Sequence, residues 1–396
     1  MRARHHYVDP MLRRPLAVAV ALLLLLAACG SSDDAAPSTA PDPTTADDAP
    51  DDEGDDPSAG AEVDQAAEAP PGEDPGEYAV GRRTEQVTDA SRADRALAVE
   101  VWYPAEAEAP PTPYELIPGV GFESELASVD SAPSTDGPFP LVVFSHGSGG
   151  LRQQSASIVE TIASHGFVVV AADHVGNTAI DNLIGTQTSF EVSARNRVLD
   201  VGLLIDEVEA GRLAAGLADP DRIAVMGHSF GGFTALAVAG GYEDIEPDAR
   251  IDAIVPLAPA SSRISDEALA AIDIPMLIIT GSDDQTTPVE DESTRPLELV
   301  GGPATLVEID GGTHEVVTNI CDILEAVSAP GAPVPEGAVA AAEGLAGTTC
   351  EPDAPVSVQD AFDATEHHAV AFLRLHLADD DRYADVEPAP GVTVRP

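Results

Sequence analysis

The stretch RIAVMGHSFGGFTALAV, Arg222 to Val238, passes from a strand-like run into a helix-like one through Gly227-His228-Ser229-Phe230-Gly231. Ile223 to Met226 has the apolar character of a short buried strand. Phe230 to Val238 is apolar and rich in small residues, as a packed helix would be. A serine between glycines at such a junction, the pattern G-x-S-x-G, marks a turn that strains the serine backbone and lifts its hydroxyl above a sheet. The flanking glycines are required because a Cβ there would strike the neighbouring strand or helix. Such a serine becomes a nucleophile only with a base and an oxyanion hole beside it.

Outward from this turn, Val99 to Tyr103, Leu141 to Phe144, Phe167 to Ala171, Ile254 to Leu257, Met276 to Ile279 and Ala304 to Ile309 read as further strands. Helical stretches lie near Gln153 to Ser164, over Val192 to Leu213 and over His368 to Leu377. Strands alternating with helices predict one α/β domain, residues 78–386, with a mostly parallel central sheet covered on both faces. No internal repeat interrupts it.

A parallel sheet presents its functional loops at the carboxyl ends of its strands. After Ser229, one strand runs into Gly281-Ser282-Asp283-Asp284-Gln285-Thr286-Thr287-Pro288, and the next into Asp310-Gly311-Gly312-Thr313-His314. The chemistry explains these residue types. Serine needs a neutral imidazole to take its proton, and the imidazole needs a carboxylate to fix its tautomer and stabilise its charged form. Taken singly, an aspartate in that loop is a solvated turn residue and the histidine a loop tip. Their order at successive strand ends makes Ser229, His314 and one of Asp283 or Asp284 a candidate triad.

The N–H of Phe230, next after the serine, is one candidate oxyanion donor. The second is expected from Ser145-His146-Gly147-Ser148-Gly149-Gly150, after the strand Leu141 to Phe144. That loop has neither dinucleotide-binding spacing nor a P-loop lysine. His146 reads as structural. The chemistry requires no cofactor and no metal.

The 396-residue chain carries a formal charge of −50, and its basic residues are all arginine. No clustered basic face is available for nucleic acid. Arg13 and Arg14 precede an apolar run from Leu16 to Ala28, too short for a comfortable membrane span. Leu26-Ala27-Ala28-Cys29 resembles the bacterial lipobox, so residues 1–28 are expected to be a signal peptide and Cys29 the lipidated anchor. Met11 is an alternative start to Met1. Residues 29–77 read as an acidic Pro/Ala/Asp-rich tether that lacks the apolar surface to offset ordering entropy. The expected location is the outer face of a bacterial cell membrane, with membrane contact through the lipid. Cys321 and Cys350 then remain and are expected to form a disulfide. The bridge would pin a flap over residues 321–365, whose length suits a covering loop, and residues 387–396 read as a tail.

The stretches VEVWYPA, PLVVFSHGSGG, IASHGFVVVAADHVGNT, GHSFGG, LIITGSDDQTTP, EIDGGTHE and AVAFLRLHLADDDRY resemble the α/β-hydrolase superfamily. The likeness is to its platelet-activating factor acetylhydrolase branch, with related cutinase-like polyester hydrolases and dienelactone-hydrolase-like esterases. The resemblance implies the α/β-hydrolase fold with the flap inserted after the histidine. It implies Asp284, four residues before Pro288, as the acid, and the N–H of Ser148 as the second oxyanion donor. Phe230 stands where the polyester hydrolases usually have Met or Gln, and the nucleophile is serine where dienelactone hydrolases use cysteine. The expected activity is that of a serine carboxylic-ester hydrolase, acetylhydrolase-like, acting on a small-molecule or lipid or polymer ester. Alternatives are a polyesterase or lipase, and a non-catalytic surface binding module on a relict hydrolase fold.

Overall fold

The computed structural model describes residues 71–396. The expected signal peptide, Cys29 and most of the expected tether lie outside the described residues. Among the described residues twelve strands form, here numbered in chain order: β1 Ala79–Asp89, β2 Arg95–Ala105, β3 Tyr114–Ile117, β4 Val120–Phe122, β5 Ala127–Val129, β6 Phe139–Ser145, β7 Val168–Ala172, β8 Ala218–His228, β9 Ala253–Leu257, β10 Met276–Gly281, β11 Ala304–Ile309 and β12 Val392–Arg395. The helices are α1 Ala156–Ser164, α2 Ala179–Ile184, α3 Phe190–Glu209, α4 Phe230–Gly240, α5 Asp266–Ala270, α6 Arg295–Leu299, α7 Ile320–Ser328, α8 Glu336–Ala346 and α9 Val358–Leu377.

Ten strands make one sheet in the order β12-β11-β10-β9-β8-β6-β7-β2-β1-β5, and β3–β4 is a separate hairpin. From β11 through β7 every neighbouring pair is parallel, while β2 joins β7 antiparallel. The central strands bury both faces. In β6, Leu141 and Val143 belong to one core cluster and Val142 and Phe144 to the other. In β7, Val168 and Val170 oppose Val169 and Ala171 in the same way. That is why these strands read as continuous apolar runs. The long helices start where the sequence supplies a cap: Ser189 accepts from Val192 N for α3, and Ser357 from Asp360 N for α9.

Three expected boundaries are corrected. Residues 387–396 are not a tail, because Val392–Arg395 pairs antiparallel with the open edge of β11, Ile309 opposite Val392 and Leu306 opposite Arg395. The alternating β-branched run Val392-Thr393-Val394 suits that edge, whose unpaired backbone groups need partners. Residues before Tyr78 also dock on the domain: Gly76 N donates to Ser164 Oγ at 2.8 Å, and Glu73 pairs with His367 at 2.7 Å. Backbone and charge make these attachments, so hydropathy does not reveal them. Finally, the flap expected over residues 321–365 covers a cavity as helices, and its far bound runs into a core helix. These residues hold most of α7, all of α8 and the first turns of the core helix α9, where Ala361 and Thr365 are fully buried. A disulfide joins Cys321, in α7, to Cys350, just beyond α8.

The β3–β4 hairpin is held over α1 by a buried carboxylate. Glu160 Oε1 accepts from Tyr114 OH at 2.5 Å and Ser124 Oγ at 2.6 Å, and Oε2 accepts from the amides of Glu125 and Leu126 at 3.0 and 2.7 Å. Trp102 Nε1 donates in turn to Tyr114 OH at 2.6 Å. Glu160→Ala would strand these buried donors and should destabilise the domain by about 3–5 kcal/mol, with Glu160→Gln costing less. Urea unfolding checks this; a loss under about 1 kcal/mol for Glu160→Ala would mean that the hairpin is held by other contacts.

Candidate active site

Ser229 ends β8 at the start of α4 with φ 56° and ψ −111°, a conformation rare for a residue with a side chain. A Cβ on Gly231 would run into the Ser145 carbonyl, and one on Gly227 into the same carbonyl and Gly231. Only glycine allows α4, β8 and β6 to meet this closely. Ser229 N donates to Leu257 O at 2.8 Å, which ties the turn to the next strand.

The structure brings Ser229, His314 and Asp284 together. His314 Nδ1–H donates to Asp284 Oδ2 at 2.7 Å, leaving Nε2 to accept from Ser229 Oγ at 2.9 Å. Asp284 is buried, and its carboxylate also accepts from the amides of Thr286 and Thr287 at 2.8 Å each and from Thr287 Oγ1 at 2.6 Å. Burial pushes this carboxyl upward, but the hydrogen bonds from His314 and Thr287 outweigh it and hold it below its usual range. Asp283 is exposed, and its amide donates to Gly312 O at 2.8 Å. Ser148 is exposed at the floor of the cavity that Ser229 and His314 line, and Phe230 is buried directly behind the serine.

Two residues passed over in the sequence join the three loops. Gln154 Oε1 accepts from Gly147 N at 2.8 Å, and its Nε2 donates to His228 Nδ1 at 2.7 Å. His228 Nε2–H donates to the His314 carbonyl at 2.9 Å. Burial, with the neighbouring His314, pulls His228 down to about 3, so it stays neutral. His228, His314 and Glu315 place ligand atoms within 4.8 Å of one another. Both nitrogens of His228 and both of His314 are engaged in hydrogen bonds, so this set does not fit a metal. No sequence pattern marks Gln154, because its partners lie on other strands; His228 was legible only as the variable residue of G-x-S-x-G.

A cavity of about 820 Å³ opens above Ser229. Its floor is residues 147–151 with His228 and His314, and its roof is α7 and α8 through Ile323, Val327 and Leu345. Leu116 and Val120 of the β3–β4 hairpin and Leu183 of α2 close the sides. The α2 helix is short but firmly begun: Thr178 and Asp181 form a capping box, and Gly185 ends it in the left-handed conformation.

Below the floor lies a second, buried polar network. His146 Nδ1 donates to Gly147 O at 2.7 Å and its Nε2 accepts from His174 N at 3.1 Å, a structural role. Ser145 Oγ donates to His174 Nε2 at 2.9 Å, and His174 Nδ1 to Asp200 Oδ2 at 3.0 Å. Asp200 also pairs with Arg92 and Arg95 at 2.8 and 2.7 Å.

The sheet order, the strained serine after β8, and the aspartate after β10 and histidine after β11 are those of the α/β-hydrolase fold. A family model described as Chlorophyllase matches residues 127–270. Cutinase est2 of Thermobifida alba is 29% identical over 184 residues, 46% of this chain and 55% of the relative. Cutinase cut1 of Thermobifida fusca is 30% identical over 186 residues, 46% of this chain and 51% of the relative. The chain thus spans about half the length of the curated relatives it matches. A solved ferulic acid esterase from Streptomyces cinnamoneus shares the fold, with TM-score 0.62 and 24% identity over 80% of this chain and 96% of that one.

Burial, with the charge of Arg197 nearby, pulls His174 down to about 4 from 6.5. The unfolded chain therefore binds its proton first on acidification. The stability this neutral imidazole contributes is complete above 6.5 and drains away as pH falls toward about 4. Glu315 and Glu366, whose carboxyls burial raises, act in the opposite sense, so the comparison must be with a variant. The stability gap between wild type and His174→Asn should narrow by about 1.4 kcal/mol per pH unit across that window. Urea titrations at several pH values check this, and a constant gap would mean the imidazole is already charged in the fold.

Proposed function

We propose that this protein is a serine carboxylic-ester hydrolase. The observation that carries the reading is the hydrogen-bond chain Asp284–His314–Ser229 ending at the floor of an apolar cavity. Ser229 Oγ attacks the acyl carbonyl as His314 Nε2 takes its proton, and Asp284 holds Nδ1 and stabilises the imidazolium. The N–H groups of Ser148 and Phe230 receive the oxyanion. His314 then protonates the departing alcohol, and water, activated by the same imidazole, releases the acid from the acyl-enzyme.

The cavity favours esters with a substantial apolar acyl or alcohol part over acetate alone. A second reading, a polyesterase or lipase working at a polymer or lipid surface, draws support from the mouth. Ile180, Leu183 and Leu345 line the cavity and are 43%, 43% and 48% exposed, and Ile184 beside them is 64% exposed. Relatives named cutinases fit the same reading. Export and lipid anchoring at Cys29 would complete the picture; the mass of the mature N-terminal peptide tests them, and any other mature terminus would remove the anchor.

Ser229→Ala and His314→Ala should each lower turnover of nitrophenyl esters by at least about 10³-fold with folding intact. Asp284→Ala should cost somewhat less and Asp283→Ala little. Greater damage from Asp283→Ala would relocate the acid, and wild type inert on every chain length would favour a non-catalytic binding module.

Replacing Cys321 and Cys350 together by Ser frees the roof helices from each other. Turnover on long acyl esters should change severalfold, while a short ester is hydrolysed nearly as before. Equal losses on both would mean that the bridge supports the fold and not the cavity.

A further inference from the structure

We propose that Arg197 is a positioning residue that aims the oxyanion-hole amide of Ser148. The proposal rests on the serine-hydrolase reading above. Arg197 projects from the apolar face of α3 and is fully buried, among the largest buried side chains. A guanidinium taken out of water must be repaid by fixed acceptors. Nearly all of those it has belong to, or brace, the loop after β6. Its Nη1 donates to His146 O at 2.5 Å and Ser145 Oγ at 3.1 Å, and its Nη2 to Gly147 O at 2.9 Å. Its Nε and Nη2 donate to Asn177 Oδ1 at 3.1 and 2.7 Å, and the Asn177 carbonyl accepts from Gly149 N at 3.2 Å.

The geometry of the peptide unit turns this clamp into a catalytic setting. The Gly147 carbonyl and the Ser148 N–H share one planar trans peptide and point in opposite directions. Fixing that carbonyl on the guanidinium below the floor therefore turns the N–H toward the cavity above it. Glycine offers little resistance to a peptide flip, so the orientation rests on the donors to this carbonyl: Arg197 Nη2 joins His146 Nδ1 at 2.7 Å and Gly150 N at 3.2 Å, and only the guanidinium reaches it from another element. The preceding peptide is gripped at both ends, its carbonyl by Arg197 and its N–H by Gln154. The same guanidinium lies over the ring of Phe230, 4.6 Å from its centroid, and Phe230 carries the other oxyanion N–H. One cation thus braces both halves of the hole, and an aromatic after the nucleophile gives it a face to rest on.

The test uses Arg197→Lys and Arg197→Met on a short nitrophenyl ester, with Asn177→Ala to loosen the fork while keeping the charge. Folding is monitored by thermal melts. Removal of one oxyanion donor costs about 10²–10³ in kcat, so Arg197→Met should approach that loss, with KM changed by less than about threefold. Lysine lacks the planar fork, so Arg197→Lys should rescue only part of it, and Asn177→Ala should lose about 10-fold. Affinity for a trifluoromethyl ketone, which binds as a tetrahedral oxyanion, should fall in parallel with kcat/KM, while affinity for the alcohol product stays within about threefold. If Arg197→Met does not fold, the other two variants decide. A folded Arg197→Lys and Asn177→Ala with kcat near wild type, or equal losses for the ketone and the alcohol, would overturn the proposal. Wild type that neither hydrolyses esters nor reacts with a fluorophosphonate would instead overturn the underlying hydrolase reading.

Discussion

The close approach of α4 to the end of β6 is the constraint around which the site is built. Gly231 and Gly227 pack on the Ser145 carbonyl, and the chain can turn there only by placing Ser229 at φ 56°. A strained residue of this kind costs on the order of 1–3 kcal/mol and persists only where its surroundings over-determine it. Here Ser229 N donates to Leu257 O at 2.8 Å, and Ser229 O accepts from Phe233 N at 3.0 Å and Ala260 N at 3.2 Å. The bonds to Leu257 and Ala260 come from β9 and the segment after it, the Phe233 bond from α4. The sheet core on both faces of β6, β8 and β9 therefore stabilises the strained Ser229 geometry as well as the fold.

Two sets of serine, histidine and aspartate lie close together, and their contrast shows what makes one of them chemical. Ser145–His174–Asp200 has contacts of 2.9 and 3.0 Å, close to the 2.9 and 2.7 Å of Ser229–His314–Asp284. Yet Ser145 and Asp200 are fully buried and His174 nearly so, while Ser229 and His314 line the cavity. The buried set also receives Arg197 and Arg95 as donors, so its hydroxyl and carboxylate are already committed. Similar distances give a structural relay under the floor and the proposed nucleophile above it. Access and the neighbouring amide donors separate the two roles.

What was legible in the sequence was what local pattern encodes. The buried strands announced themselves as apolar runs, and the turn at Ser229 by its glycines. The proposed acid and base lie at the ends of the next strands, within hydrogen-bond reach of one another and of Ser229. The helical form of the flap was missed for a local reason. Pro335 and Gly347 look like loop punctuation, but they stand at the N-cap and C-cap of α8, and the alanines between them are strong helix formers. Arg197, Gln154 and Asn177 were invisible because their partners sit on other elements. Their residue types alone suggest solvated surface, and only the tertiary structure shows them as the struts of the site.

The pieces that enclose the cavity stand apart from those proposed to perform the chemistry. The proposed triad and the glycine loop sit on strand ends of the sheet. The walls come from α2, the β3–β4 hairpin and the α7–α8 pair, none of which is a strand of that sheet. Each wall has its own tie, α2 its capping box, the hairpin Glu160 and the helix pair the disulfide, and α7 also packs against β4. Changes in these walls can reshape the space for substrate without disturbing the hydrogen bonds from Asp284 to Ser229. The two layers meet where Thr313, next to His314, bonds Thr349 beyond α8 at 2.6 Å, and they meet at the floor. There Gly147 and Ser148 are both wall and candidate oxyanion donor, and there the buried arginine reaches up from α3 to hold them.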